Sequence, residues 1–409
     1  MRIRKCSYLL YSLFKIQLEN GGGSLKIVFV SNYFNHHQRA LSDALYKYTD
    51  GNYCFIETEP MDSERLGMGW NIKDFPQYVI HAYSSAEEKK RALKVINEAD
   101  AVIIGSAPFD YVKERMKIGK LTFRYNERFL KTKRAYYQLP LRAIKYRLEG
   151  GKYKNTYMLC ASAYTASDFR KVGCYVDKCF KWGYFPQTPV FSNIEQVITE
   201  KEPASILWVG RLIELKHPDA SIQVAERLKR EGIAFKLRII GNGVLEQELR
   251  SKIKNCHLEN CVEMLGAMPA AEVQEYMKRS RIFMTTSDFN EGWGAVVNEA
   301  MGNACAVVAS HAMGSVPFLI DDGQNGFIYK SGDIDLLYQK VKRLLIEKSL
   351  ADKFASKAYN TIFNEWNADI AARRFIDIVR CIQDGGEPFD LYQCGSCSKA
   401  DILKNDWFK

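Results

Sequence analysis

The sequence of 409 residues has no run of eighteen or more apolar residues, which excludes a helix long enough to cross a membrane. Internal repeats and low-complexity segments are also missing, so a repeat array is not indicated. Cys394 and Cys397 have no second Cys-x-x-Cys pair and no histidine at zinc spacing, so they do not predict a metal site. The eleven cysteines are odd in number and scattered, which indicates a reduced, cytoplasmic chain rather than a disulfide framework.

The composition is that of a folded globular protein. Hydrophobic residues make up 47% of the chain and charged residues 26%, an ordinary balance. A chain of 409 residues exceeds what one core usually holds, so two or three domains are expected. Residues 1–24 are predicted to be an extension without a fold, since a short apolar stretch lacks a cleavage site and three glycines follow it. The native start is expected near Leu25.

The positive charge of the chain is concentrated in residues 113–154. This segment holds fourteen Lys or Arg against three acids, a net charge of +11, while the rest of the chain sums to −1. Aromatic residues are interleaved with the basic ones. The segment is either a solvated helical surface or a patch that attracts an anionic membrane surface or a lipid-phosphate acceptor. Nucleic acid is the least favoured partner and is not predicted.

Strands and helices alternate in the first half, which predicts an α/β domain over residues 25–186. A polar loop at 32–38 follows the first buried strand, at the edge where parallel sheets bind ligands. His36, His37 and Gln38 in this loop are therefore candidate contacts for an acceptor or sugar, with a plain surface loop as the alternative. Residues 121–128 are predicted to be a strand that passes into a loop. Arg124 and Glu127 in this run either line the cleft or belong to a basic surface, and Arg124 is taken as the candidate.

A proline-flanked linker is predicted at 187–203, and the alternation then restarts over 204–365. Residues 366–409 are predicted to form a C-terminal helix and a tail. Two such domains would face each other across a cleft, which is the usual place for a ligand.

The segment 281–300 has the pattern strand, loop and helix, with Gly292 and Gly294 around Trp293 before the helix. A helix that begins after glycines offers free amides and the positive end of its dipole to an anion. Glu291 and Glu299 lie eight residues apart, so helical geometry could turn both carboxylates toward one cleft.

Two cations accompany this motif. Arg211 and Lys216 follow a strand that ends in Val209 and Gly210, and they could bind a diphosphate without a metal. A turn with Gly241 and Gly243 follows the next strand. Asp333-Ile-Asp335, the only Asp-x-Asp triplet, is predicted to cap a helix rather than to bind a metal.

The stretch 206–329 resembles the nucleotide-binding domain of retaining glycosyltransferases of family four, through Glu291-x7-Glu299 together with Arg211 and Lys216. The resemblance implies the GT-B fold: two Rossmann-like, doubly wound parallel-sheet domains facing across a cleft. It implies that Arg211 and Lys216 neutralise the diphosphate, that Glu291 lies beside the donor sugar and that Glu299 bonds the ribose. The implied nucleotide-sugar contacts also include Gly241, Gly243, Leu265, Gly292, Trp293 and Gly294.

By the same resemblance the chain would be a hexosyltransferase that uses a nucleoside-diphosphate sugar such as a UDP-sugar, with no metal and no other cofactor. The acceptor would be a glycan or a lipid-linked glycan in cell-surface polysaccharide synthesis at the inner face of the cell membrane. Three alternatives stay open. A sugar-nucleotide epimerase and a non-catalytic partner subunit could share the fold. A Rossmann dehydrogenase is disfavoured because Glu246 occupies the third glycine position of its fingerprint.

Overall fold

The computed structural model describes residues 25–62 and 74–408. The predicted N-terminal extension lies outside the described residues. Within them the chain forms two α/β domains, each built on one parallel sheet. The predicted fold class of two Rossmann-like domains is thereby confirmed.

The first sheet has seven strands. They are β1 (Ile27–Ser31), β2 (Tyr53–Glu57), β3 (Val79–His81), β4 (Ala101–Ile104), β5 (Thr122–Asn126), β6 (Thr156–Cys160) and β7 (Cys179–Lys181). Their order is β3-β2-β1-β4-β5-β6-β7, and every neighbouring pair is parallel.

The second sheet has six strands. They are β8 (Glu202–Val209), β9 (Lys236–Ile240), β10 (Val262–Gly266), β11 (Ser280–Thr285), β12 (Ala306–Ser310) and β13 (Phe327–Tyr329). Their order is β10-β9-β8-β11-β12-β13, again with parallel neighbours throughout.

In each sheet the strand order reverses at the domain's first strand. β1 lies between β2 and β4, and β8 lies between β9 and β11. Loops that leave two such strands run to opposite faces of the sheet, so a crevice opens at their carboxyl ends. In the second sheet the crevice is bordered by the loop after Val209 and the loop after Thr285. These loops carry the predicted cations and the glutamate motif.

Both faces of each sheet are covered, because neighbouring strand residues point to opposite sides. On β8, Ile206 and Trp208 join one apolar cluster while Leu207 joins another, and all three are buried. The cluster that holds Leu207 also holds Phe29 of β1 and Trp293. The two domains therefore share one continuous apolar core on the side of the cleft.

Fifteen helices in the described ranges cover these faces. In the first domain they are α1 (His36–Tyr48), α2 (Ala86–Glu98), α3 (Lys113–Lys117), α4 (Lys133–Tyr137), α5 (Leu139–Tyr146) and α6 (Thr165–Lys171). The rest are α7 (Ile194–Thr199), α8 (Pro218–Arg230), α9 (Glu246–Asn255), α10 (Ala270–Arg279), α11 (Val296–Gly302), α12 (Val316–Leu319), α13 (Ile334–Ile346), α14 (Lys348–Glu365) and α15 (Ala368–Gln383).

The first helix begins earlier than the sequence predicted. The polar loop was expected to extend to Gln38, but α1 starts at His36, with Asn35 as its N-cap. The Asn35 side chain accepts from the amide of His37, and the Gln38 side chain accepts from the amide of Asn35 at 3.0 Å. This reciprocal capping box satisfies the first amides of the helix, which is why the helix extends into the predicted loop.

The linker and the region after β13 also hold more helix than expected. Helix α7 lies inside the predicted linker, with Asn193 as its cap, and Ile198 packs in a small cluster with Tyr359 of α14. Helix α14 has eighteen residues and was not predicted. Its apolar pattern follows directly on α13, so the break between the two at Glu347 is hard to recognise from sequence.

The C-terminal segment returns to the first domain. Helix α15 presents Phe375 to Phe123 of β5, with ring centroids 4.8 Å apart. The tail then runs beside β7, where Lys181 exchanges backbone hydrogen bonds with Cys397 and Ser398 at 2.8 and 2.7 Å. Across residues 25–62 and 74–408, no helix combines the length and the apolar character needed to span a bilayer.

Candidate active site

The two predicted cations lie on the loop that leaves β8. Arg211 comes directly after this strand, and its side chain is exposed. Among the described residues no acid pairs with it. Lys216 ends a short helical turn, and its carbonyl accepts a hydrogen bond from Thr286 Oγ1 at 2.6 Å. Thr286 in turn accepts from Trp208 Nε1 at 2.9 Å, so both central strands hold the Lys216 loop in place.

The glycine turn after β9 packs against the same loop. A Cβ atom on Gly241 would lie 1.9 Å from the carbonyl oxygen of Gly210, and one on Gly243 would lie 2.4 Å from that of Leu212. Only glycine permits so close an approach of two backbones. Leu265 lies half-buried near the end of β10, the next strand in the sheet. Gly241 and Gly243, two of the predicted nucleotide-sugar contacts, thus border the loop that carries Arg211.

Lys216 forms an ion pair with Glu291, the first acid of the motif. The two side chains are only 17% and 14% exposed. Partial burial strengthens a charge pair relative to one in water. The structure therefore joins two residues that lie 75 positions apart in sequence and holds both at the switch point of the second sheet.

The motif loop continues from Glu291 into α11. The backbone amides of residues 292–295 donate no hydrogen bond to any described residue. Helix α11 begins at Val296, and the amide of Val297 already bonds to the carbonyl of Gly294 at 3.0 Å. The free donors of this region are thus the loop amides before the helix, which can receive an anion or sugar oxygens.

The Trp293 side chain was predicted to contact the nucleotide sugar, but it is wholly buried. Its Nε1 donates to Asn298 Oδ1 at 2.8 Å, and a Cβ on Gly183 would meet its ring at 2.3 Å. The ring fixes the motif loop against the first domain, so a ligand can meet only the Trp293 backbone in this conformation.

Glu299, the second acid of the motif, lies in α11 and is half-buried. Desolvation by burial raises the pKa of its carboxyl group to about 7. No described residue forms an ion pair or a side-chain hydrogen bond with this carboxyl group. Among the described residues it is therefore a half-buried acceptor without a side-chain partner, as expected of a group that binds a ligand.

On the first domain, His36, His37 and Gln38 occupy the first turn of α1. The His37 ring lies 5.8 Å from the ring of Tyr184 and 4.0 Å from that of His36. Burial lowers the pKa of His36. Gln38 is occupied by the capping box described above. The two histidines remain candidates for a sugar or acceptor, whereas Gln38 has a structural role.

Arg124 lies within β5 and contacts residues of the basic segment. Its guanidinium lies 3.4 Å from Glu149 and 5.3 Å from the ring centroid of Tyr146. These contacts hold the segment after α5 onto the sheet, so the surroundings of Arg124 do not favour its prediction as an acceptor contact.

The structure brings Glu127 into the cleft in its place. Glu127 Oε1 accepts from the Tyr184 hydroxyl at 2.9 Å, and Oε2 lies 2.8 Å from Lys131 Nζ. A Cβ on Gly292 would lie 1.8 Å from Oε2. Glu127 was weighed from the sequence together with Arg124 but was not chosen as a candidate.

A recess in the surface lies beside the Lys216 loop and the start of the motif. It is lined by Ile213, Glu214, Leu215, His217, Asp288 and Asn290.

The Asp-x-Asp triplet lies elsewhere, at the start of α13. Asp333 caps this helix through Leu336 N at 2.8 Å, as predicted, and Asp335 pairs with Arg227. In the part of the chain that the structure describes, no three His, Cys, Asp or Glu side chains are grouped to hold a metal ion.

Solved structures with this two-domain arrangement are GT-B glycosyltransferases. HepE from Anabaena, solved in complex with UDP, matches with a TM-score of 0.64 and 16% identity, over 87% of this chain and 100% of that chain. The pneumococcal O-GlcNAc transferase GtfA, solved with UDP and GlcNAc, matches with a TM-score of 0.62 and 13% identity, over 88% and 100%. At such identities the likeness establishes the fold, which is GT-B.

Residues 191–361 match the family model Glycosyl transferases group 1. The amylovoran biosynthesis glycosyltransferase AmsK of Erwinia amylovora is 32% identical over 183 residues, 44% of this chain and 45% of AmsK. The Escherichia coli protein WcaL, named as a putative colanic acid biosynthesis glycosyltransferase, is 26% identical over 231 residues, which are 55% of this chain and 56% of WcaL. The chain thus aligns with about half the length of these curated relatives.

Proposed function

We propose that the chain is a hexosyltransferase that moves a sugar from a nucleoside-diphosphate sugar to a hydroxyl group of a glycan or lipid-linked acceptor. The transfer retains the anomeric configuration and needs no metal ion. The observation that carries the proposal is the ion pair of Lys216 with Glu291 at the switch point of the second sheet. The same loops carry the guanidinium of Arg211 and the amides of residues 292–295, for which residues 25–62 and 74–408 supply no partner.

These groups suit a departing diphosphate. Two cations and several amide dipoles converge where negative charge develops, and fixed dipoles stabilise such charge without reorganising. The bond between the anomeric carbon and the diphosphate oxygen breaks, and the acceptor oxygen bonds to the same face of the sugar. The acceptor proton leaves with the diphosphate. Lys216 then shares its charge between Glu291 and the phosphates.

The nucleotide, the retaining course and the pathway rest on the relatives. HepE and GtfA were solved with UDP, which supports a UDP-sugar as the donor. AmsK is named for amylovoran biosynthesis, which supports a role in cell-surface polysaccharide synthesis. Retention rests on the resemblance of the Glu291 and Glu299 motif to retaining enzymes.

The proposal is tested by nucleotide release from UDP-sugars in the presence of EDTA, with a membrane extract as acceptor. Wild type should release UDP, and Lys216→Met should lower kcat/KM by about a hundredfold, as for loss of one oxyanion donor. Lys254→Met, which changes an exposed lysine of the same domain, is the matched control and should behave as wild type.

Three other results would each contradict one part of the proposal, and a further measurement decides the stereochemical course. Complete loss of activity in EDTA would rule out metal independence. Epimerised nucleotide sugar formed without an acceptor would identify an epimerase. A folded protein that neither binds UDP nor releases it would favour the non-catalytic partner subunit. The anomeric coupling constant of the product, measured by NMR, decides between retention and inversion.

The proposal includes contact with an anionic membrane surface through the basic segment 113–154. Support comes from an apolar stripe of four exposed side chains: Tyr137, Leu141, Ile144 and Leu148, which are 86%, 71%, 61% and 53% exposed. Leu141 and Ile144 lie three residues apart on one face of α5, and Tyr137 and Leu148 lie just before and just after this helix. The opposite face is packed, because Tyr146 is buried against Phe129 and Phe169.

Basic side chains border the apolar stripe. Arg142 and Lys145 lie on α5, and Arg147 follows it. An apolar face flanked by cations suits the boundary between headgroups and acyl chains of an anionic bilayer. A lipid-linked acceptor would be presented at the same surface. A relative from Campylobacter jejuni, 32% identical over 153 residues, is named as an N-acetylgalactosaminyltransferase that acts on a diphospho-undecaprenol-linked saccharide, which supports such an acceptor.

Vesicle flotation tests the membrane contact. Wild type should float with phosphatidylglycerol vesicles and not with phosphatidylcholine vesicles, and added salt should weaken binding. The double variant Leu141→Ser, Ile144→Ser should lose flotation. Val244→Ser, which removes an equally exposed apolar side chain of the second domain, should not. Undiminished flotation of the double variant would exclude the apolar stripe as the membrane contact.

A further inference from the structure

Glu127 belongs to the first domain, but its carboxylate touches the backbone of the motif loop of the second. The hypothetical Cβ on Gly292 lies 1.8 and 2.4 Å from the two carboxylate oxygens of Glu127. The side chain of Glu127 is about 30% exposed, so it is neither sealed in the core nor free in solvent. It therefore borders the cleft at the point where the two domains meet.

Two neighbours fix the orientation of this carboxylate. The Tyr184 hydroxyl donates to Oε1 at 2.9 Å, and Lys131 Nζ lies 2.8 Å from Oε2. Burial raises the pKa of Tyr184 well above its ordinary value, so its phenol stays a donor. The Tyr184 ring is itself held between Tyr125 and His37, with centroids 6.0 and 5.8 Å away.

The same contact places Glu127 opposite the proposed donor site. Gly292 follows Glu291, whose carboxylate pairs with Lys216. An ion pair from each domain thus flanks the motif loop. A carboxylate has about four acceptor positions, and the two donors named above leave Glu127 with capacity for further hydrogen bonds. The groups that such a carboxylate binds in a cleft of this kind are sugar hydroxyls.

We propose that Glu127 is a further substrate-binding residue, whose carboxylate accepts a hydrogen bond from a hydroxyl group of a sugar in the cleft. Lys131 and Tyr184 are positioning residues that act through Glu127. This inference rests on the proposed glycosyl transfer and extends it to a residue of the first domain. The hydroxyl belongs either to the transferred sugar or to the acceptor glycan, and the two sources give different kinetics.

The experiment compares Glu127→Ala and Glu127→Gln with Glu114→Gln in the full chain. Glu114 is a matched control, since it also pairs with a lysine of the first domain, at 2.7 Å, but is exposed on α3. UDP affinity is measured by calorimetry. The kcat and the KM for donor and acceptor are measured by nucleotide release, and donor hydrolysis is measured without acceptor.

Glu127→Ala should lower kcat/KM by about tenfold or more, as expected for loss of a hydrogen bond to a charged group. Glu127→Gln keeps one acceptor oxygen and should lose less. UDP affinity should stay within about threefold of wild type, because UDP contains neither the transferred sugar nor the acceptor. If the hydroxyl is on the donor, hydrolysis without acceptor falls along with transfer. If it is on the acceptor, hydrolysis is unchanged and only the acceptor KM rises.

A second pair of variants separates this role from a purely structural one. Gly292→Ala puts a methyl group where the Glu127 carboxylate lies and should displace it. The loss of kcat/KM in Gly292→Ala and Glu127→Ala should then be non-additive in the double variant. A contact that only held the domains together would instead lower thermal stability while leaving UDP affinity and both KM values unchanged.

The inference is overturned if wild type is active and Glu127→Ala stays within twofold of it in every kinetic constant. That result leaves the proposed function intact. If wild type binds no UDP and transfers no sugar, the proposed function fails and this inference fails with it. UDP binding by wild type therefore distinguishes the two failures.

Discussion

Binding of a nucleotide sugar should remove a proton from Glu299. Burial raises the pKa of this carboxyl group to about 7, so the free protein at pH 7 holds the acid about half protonated. Ribose hydroxyls that donate to the carboxylate favour its ionised form and lower its pKa. At pH 7 binding should therefore release about half a proton for each nucleotide sugar.

The affinity follows from the same equilibrium. If only the ionised form of Glu299 binds the ribose, about a tenth of the protein is competent at pH 6 and about nine tenths at pH 8. The dissociation constant should thus fall about tenfold between these pH values. A nucleotide sugar is the proper ligand, because the terminal phosphate of a free diphosphate itself titrates near pH 6.

The assay is titration calorimetry at pH 6, 7 and 8 in two buffers of different ionisation enthalpy, which reports the protons released. Glu299→Gln should bind more weakly and without proton release. Glu275→Gln changes an exposed acid on α10 and should bind as wild type does. Equal affinity at pH 6 and pH 8, with no buffer dependence, would refute the assignment of Glu299 to the ribose.

The same raised pKa has a consequence for the free protein. Between about pH 4.5 and 7 the folded chain keeps a proton on Glu299 that the unfolded chain has lost. Folding stability therefore falls as pH rises through this window, by up to about 3 kcal/mol for this group. The difference between wild type and Glu299→Gln in urea denaturation isolates this contribution.

Three further predictions concern the framework. Lys201 is buried, and its Nζ lies within hydrogen-bond distance of four backbone carbonyls, at 2.8 to 3.2 Å. Lys201→Met should therefore lower the free energy of unfolding, measured by urea titration, by about 3 kcal/mol. Lys278→Met changes an exposed lysine and should leave this free energy unchanged. Gly314→Ala would place a Cβ 1.9 Å from the carbonyl oxygen of Gly292 and 2.4 Å from Ser162 Oγ, and it should cost about 1–3 kcal/mol, while Gly302→Ala meets only ordinary contacts. UDP should raise the thermal unfolding midpoint in EDTA; no shift at saturating UDP would contradict the proposed site.

Buried parallel strands could be predicted because their sequences are short, continuous apolar runs between polar turns. The strand from Ile27 to Ser31 and the one from Ser280 to Thr285 lie close to where the sequence predicted them. The positions of helix ends were predicted less accurately. The start of α1 depends on a capping box at Asn35, and a loop with the same composition could have stayed extended.

The basic segment shows a different limit. Its charge predicted a surface that attracts anions, but the sequence did not separate α4 and α5 from loop. Arg124 and Glu127 are three residues apart, and an extended chain sends such residues to opposite sides. The packing of the two sides of the sheet decided which of them lies near the second domain. Arg124 pairs with Glu149 of the basic segment, whereas Glu127 contacts Gly292.

What the sequence by itself determined is the alternation of strands and helices and the motif of Glu291 and Glu299, since both depend on residues close together along the chain. The ion pair of Lys216 with Glu291, the burial of Trp293 and the contact of Glu127 with Gly292 were decided only by the tertiary structure. Each of these joins segments from different strands or different domains. Such contacts exist only once the strand order and the packing of the two domains have brought those segments together.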